Sequence, residues 1–217
     1  MIERYSTSCL YKILNEIQFV KNIYDQNHLP YHNMNHIMDC IYNFNNFLYI
    51  NLNDKSKIYN FLLAILYHDI VYRPGESDNE ELSCQFFEKN NKDLDKQDIE
   101  YVKKIIMSTK IPKSYNPNLS VEEKIMHDVD YSGFGLEYTK YLENSVKILS
   151  EYAHIAPLDV LRKQRYEFLN HTNNQRIFYF KFGLENIAHE NISKEMELLK
   201  SGDFPITLNT GILGSAL

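Results

Sequence analysis

Histidines and aspartates cluster at three places in this chain: His32 and His36 in "YHNMNH", His68 and Asp69 in "LLAILYHD", and Asp128 and Asp130 in "MHDVD". Burying a carboxylate beside an imidazole, with only Leu, Ile, Ala and Tyr for company, costs several kcal/mol unless something pairs with it. Either His68 and Asp69 satisfy each other as a core pair, or both hold one cation. Divalent ions such as Mn, Fe, Co, Mg, Ni or Zn accept mixed imidazole and carboxylate ligands. The second reading therefore calls on His36 as a third ligand and on Asp128 or Asp130 as a fourth. The two aspartates are two residues apart, which is about 200° around a helix, so only one should reach the same ion. His32 is one helical turn before His36 on the same face, near such an ion but not on it.

Helices must carry these groups. Leu10, Ile13, Leu14, Ile17, Val20 and Ile23 share one face of a first helix. After Pro30, Asn33 or Asn35 can cap a second helix running to about Ile50. A third, from Ile58 to about Tyr72, is apolar nearly all round and belongs in the core. Asp78 with Glu81, and Ser120 with Glu123, read as capping boxes that open later helices, the second ending at Gly133 or Gly135. A helix through "DKQDIEYVKKIIMSTK" stops before Pro112, and Pro157 suits a first helical position. "RIFYFKF" is the one strand-like run, equally readable as a buried aromatic turn of helix. "LENIAHENISKEMELLK" is the last helix. The whole reads as an all-α bundle over residues 1–200 with a tail at 201–217.

Composition narrows the classes. The 217 residues include few Gly or Pro, no Trp and many Tyr and Phe, as in a helical globular protein. A net charge of −6, spread along the chain, argues against a DNA or RNA duplex as partner. The three cysteines Cys9, Cys40 and Cys84 form no close pair and read as reduced. No secretory signal opens the chain, and no apolar run is long enough to span a bilayer. A soluble, cytoplasmic protein is expected, its oligomeric state open.

The order His, then His-Asp, then Asp resembles the ligand order of the HD-domain superfamily of metal-dependent phosphohydrolases, which are helical bundles. The likeness is strongest to a bacterial group known only as predicted metal-dependent HD phosphohydrolases. It covers roughly residues 28–200 and rests on Tyr31, His32, Asn33 and His36, on His68, Asp69 and Tyr72, on Asp78, Asn79 and Glu80, on Asp128 and Asp130, and on Ala188 to Asn191. "PYHN…H" is also similar to the first motif of the cyclic nucleotide phosphodiesterases, where the earlier histidine is the general acid and the later one a ligand.

Carried onto this sequence, the resemblance implies one strongly held divalent metal on His36, His68, Asp69 and Asp130, with Asp128 behind them or as the alternative ligand. It implies His32 as proton donor, Asp69 within the catalytic machinery, and Asn33 and Tyr72 on the substrate side. The expected substrate is a small phosphate mono- or diester, a nucleotide first. Glu80 could orient the attacking water, or simply favour a helix N-terminus. Lys110 and Arg165 could hold phosphate, or be solvated surface cations. There are departures: Tyr72 stands where the cyclic nucleotide enzymes carry His, and His127 alone lies between Asp69 and Asp130, poorly placed as a further ligand. A di-iron oxygenase of the same fold would need such extra histidines. A nucleotide-binding module without catalysis would have no use for His32.

Overall fold

Helix forms nearly everywhere that apolar residues recur three and four apart. The computed structural model describes residues 7–52, 54, 57–110, 114–180 and 182–206, and among these there is no strand. The helices are α1 (Thr7–Asn27), α2 (Met34–Asn43), α3 (Ile58–Tyr67), α4 (Asn79–Asn90), α5 (Lys96–Met107), α6 (Val121–Asp130), α7 (Tyr138–Glu151), α8 (Leu158–Asn173) and α9 (Glu185–Ser201). None is long and apolar enough to cross a membrane. The expectations for the chain start, for the Cys9 side chain, for "IPK" at 111–113 and for the tail beyond Ile206 lie outside the described residues.

Two apolar cores organise the bundle. The first gathers α1 to α6 around α3, whose Phe61 to Tyr67 are all buried. Each fully buried large side chain there contributes roughly 1.5–3 kcal/mol. The second core joins α7, α8 and α9 with Ile177 and Phe178, and Phe204 and Ile206 pack into it after α9. Gly202, at φ +85°, turns the chain out of α9 at no steric cost.

Local chemistry changes several expected boundaries. On α1 the buried face runs through Ile13, Val20 and Tyr24, and Leu14 points outward. α2 passes into a π-helical turn at Phe44–Leu48 and a 3₁₀ turn at Tyr49–Asn51, so the winding first loosens and then tightens where one continuous helix was expected. α3 stops at Tyr67 rather than near Tyr72. The His68 ring there takes the Ile65 carbonyl at 2.9 Å, and Ile70 N–H turns back to Tyr67 O at 3.2 Å. Ser120 and Glu123 form the expected capping box. Asp78 and Glu81 do not, because Asp78 pairs with Arg73 and Glu81 with Lys110. Pro157 sits at the N-cap of α8, one position before the helix. "RIFYFKF" is neither strand nor helix over Arg176–Phe180.

Inside the second core, Arg165 of α8 bonds Glu195 of α9 at 2.9 Å, and Tyr141 and Ser145 of α7 also donate to Glu195. Burial alone would raise the Glu195 pKa, but Arg165 and the hydroxyls bring it below its ordinary 4.5. The carboxylate is thus more acidic folded than unfolded, so its stabilisation is complete above about pH 4.5 and is lost as pH falls through the lower folded value. Glu195→Gln should cost roughly 3–5 kcal/mol near neutrality, because Arg165 is left buried without a counter-charge. Thermal melts of both chains against pH should show the gap closing in acid. A gap that persists to pH 2 would contradict this role for the pair.

Candidate metal centre

The ligand-type residues are delivered by three helices of the first core. Asn33 caps α2, accepting Asn35 N–H at 2.8 Å and donating its amide to the Leu29 and Pro30 carbonyls at 2.9 Å each. That turn starts the helix so that His36 points inward. His68 and Asp69 follow α3, and Asp130 is the last residue of α6.

Their donor atoms face one another. His36 Nε2 lies 3.4 Å from His68 Nε2, 3.4 Å from Asp130 Oδ1 and 3.5 Å from Asp69 Oδ2. His68 Nε2 lies 3.0 Å from Asp69 Oδ2 and 3.7 Å from Asp130 Oδ1. Ligands bonded at about 2.1 Å to one ion are about 3.0 Å apart at right angles and about 3.4 Å apart in a tetrahedron. The observed separations cover that range. Among the described residues, His36, His68 and Asp130 are the one group whose ligand atoms all lie within 4.8 Å of one another; Asp69, expected as a fourth ligand, is near both histidines but is not part of that group. The two histidines are buried, and the carboxylates keep a little exposure.

The outer contacts favour a metal-binding tautomer. A carbonyl only accepts, so the His68 Nδ1–H donates to Ile65 O, and Nε2 presents its lone pair to the centre. Burial opposes charge on His68, yet Asp69 and Asp130 raise its pKa well above the usual imidazole value. Burial likewise opposes charge on Asp130, and His36 and His68 overcome it, holding the carboxyl well below its usual range. The centre draws positive charge, which a proton or a divalent ion can supply.

His32 stands outside this group, its ring centroid 6.0 Å from that of His36. Glu151, the last residue of α7, fixes it. One oxygen accepts the Tyr31 and His32 backbone N–H groups at 2.7 and 2.9 Å, and the other meets His32 Nδ1 at 2.5 Å. Nε2 is then the nitrogen left to a ligand. Tyr72 stacks on the ring at 3.5 Å and shares a 2.8 Å hydroxyl contact with Tyr152.

Other expected site residues are spent elsewhere. Asp128 is fully buried and faces away from the centre, accepting Tyr179 N–H at 2.8 Å and Phe180 N–H at 2.6 Å. Glu185 does the same for Ile177 and Phe178. Four backbone donors thus find carboxylates instead of a neighbouring strand or helix turn, which is why the aromatic run is satisfied without regular structure. Asp128→Ala should cost about 1–3 kcal/mol for each amide left unpaired, while Mn²⁺ affinity stays within a few-fold. Denaturant unfolding alongside metal titration checks both, and a stable variant that loses the ion would exchange the roles of Asp128 and Asp130.

Asn33 borders a groove beside the centre, but its amide is committed to the backbone. Lys110 pairs with Glu81 and Arg165 with Glu195, so neither is a free cation. Glu80 is half-buried in the first turn of α4, and burial raises its pKa. His127 is in the second core's wall, donating to Ile177 O at 2.8 Å.

Glu151 is the functional residue that sequence reasoning missed. It meets His32 across 119 positions, so no local pattern joins them. The one available signal was an acidic residue ending a helix, where the dipole disfavours negative charge.

Fold and site together define an all-helical protein with a buried His36, His68 and Asp130 group that could hold a metal ion. Comparison of the chain with protein-family models, curated proteins and solved structures finds no match.

Proposed function

We propose that this protein is a metal-dependent phosphohydrolase of the HD type, hydrolysing a phosphate mono- or diester, a nucleotide before other esters. The observation that carries the reading is the convergence of His36, His68 and Asp130, with donor atoms 3.4–3.7 Å apart, Asp69 within 3.0–3.5 Å of both imidazoles, and His32 held beside them. The ordered motifs in the sequence support the same reading.

A divalent ion on those residues would polarise a phosphoryl oxygen and lower the pKa of a water. The chain does the rest. His68 is fixed by Ile65 O, so its lone pair is presented without reorganisation. Glu151 and the Tyr72 ring hold the His32 imidazole in one orientation. Held so, His32 gives a proton to the departing alkoxide, which is a poor leaving group until protonated.

The test is metal analysis of the purified chain followed by a phosphate-ester panel with Mn²⁺, Fe²⁺, Co²⁺, Ni²⁺, Zn²⁺ and Mg²⁺. Phosphate release that tracks metal content is the expected result. Two irons per chain with oxygen uptake would point instead to an oxygenase, and tight nucleotide binding without turnover to a binding module.

A further inference from the structure

Two openings reach Asp130. A wide groove of about 910 Å³ lies on the His36 side, lined by Asn35, Asn144, Lys140 and Lys147 among others. A smaller cavity of about 370 Å³ lies on the His32 side. The proton donor stands on the second, so an ester whose leaving oxygen meets His32 must place its leaving group there.

The chemistry of that cavity restricts the occupant. Its walls carry the rings of Tyr31, Tyr72, Tyr131, Phe134, Tyr152 and Phe168. The Tyr72 and Tyr152 hydroxyls bond each other, which leaves their rings as the surface offered. Arg165 is the one Lys or Arg side chain on the wall, and it is bound by Glu195 at 2.9 and 3.2 Å and by Ser145 at 3.0 Å. Asp130 is negative. No free cation waits for a second phosphate, and apart from His32, Asp130, Gln164, the paired Arg165 and the tyrosine hydroxyls the lining is apolar, which suits the two free hydroxyls of a nucleoside better than the four of a hexose phosphate. Flat apolar walls of this kind stack planar rings, and the volume is at the small end for a ligand site.

We infer that the aromatic cavity between His32 and Phe168 receives a neutral leaving group bearing a planar ring, so that the substrate is a nucleoside monoester of phosphate rather than a sugar phosphate or a nucleoside diphosphate. The inference rests on the hydrolase reading for the reaction, but not for the binding. In the reaction the bond from phosphorus to the nucleoside oxygen breaks and one to the water oxygen forms. His32 gives its proton to the nucleoside oxygen and is reprotonated by the one the water loses, so no other reactant is needed.

The chain has no tryptophan, so Phe168→Trp installs a single fluorophore on the wall while keeping a ring there. Adenosine should quench it in the full-length, Mn²⁺-loaded protein, and glucose should not. With adenosine 5′-monophosphate, glucose 6-phosphate and adenosine 5′-diphosphate as substrates, the monophosphate should lead in kcat/KM by tenfold or more. Phe168→Leu should raise its KM about tenfold with metal content unchanged, and Phe168→Trp should restore it. Equal turnover of the three esters, or no effect of Phe168→Leu, overturns the inference and leaves a hydrolase. Adenosine binding with no turnover keeps the inference and removes the hydrolase. Neither binding nor turnover removes both.

Discussion

A His68→Ala chain is expected to hold no stoichiometric Mn²⁺ and to release no phosphate from any ester that the native protein cleaves. Changing a residue that merely orients a metal ligand commonly costs 10–100-fold in affinity, and His68 supplies a donor atom itself, buried at 1% side-chain exposure. Its removal also leaves His36 as the imidazole that still faces both Asp69 and Asp130. Metal content by elemental analysis reads the first effect. Stability reads it a second way, independently of any reaction. An ion that binds only the native state at a concentration 100 times its Kd adds about 2.7 kcal/mol, which for a chain of this size is about 5–10 °C in Tm. The native protein should show that rise on adding Mn²⁺, and His68→Ala should show none. A rise of equal size in both would place the ion elsewhere.

The second large effect concerns proton delivery. His32→Ala should lower kcat about 10²–10⁴-fold for an alkyl phosphate ester, with metal content unchanged. The loss should nearly vanish for a p-nitrophenyl ester, whose leaving group departs without a proton. Glu151→Gln should fall between native and His32→Ala, because the amide oxygen can still accept the Tyr31 and His32 N–H groups while the carboxylate oxygen that meets His32 Nδ1 is lost. A uniform loss with every leaving group would mean that these residues shape the centre rather than deliver a proton.

Much of this molecule was legible in the sequence, for identifiable reasons. Helices follow from 3.6-residue apolar spacing, and the α3 core helix from being apolar all round. The ligand-type residues stood out because His68 and Asp69 are expensive in apolar company. Asp130 and Asp128 could not be separated by spacing alone. They are separated by Tyr179 and Phe180, whose amides claim Asp128 from about fifty positions away. Arg165 looked like a phosphate ligand because its partner Glu195, thirty residues on, leaves no local trace. The early end of α3 was hidden too, since it depends on a side chain competing with the backbone for the Ile65 carbonyl. What the sequence conceals here is long-range polar pairing.

Glu151 ends α7, a helix of the second core, while His36, His68, Asp69 and Asp130 lie on or directly after helices of the first. The group that could hold an ion and the carboxylate that fixes His32 therefore lie on opposite sides of one seam. A preparation in which α7 has loosened would pass an elemental assay and fail a kinetic one. Stoichiometric loading by itself is no certificate of a working enzyme.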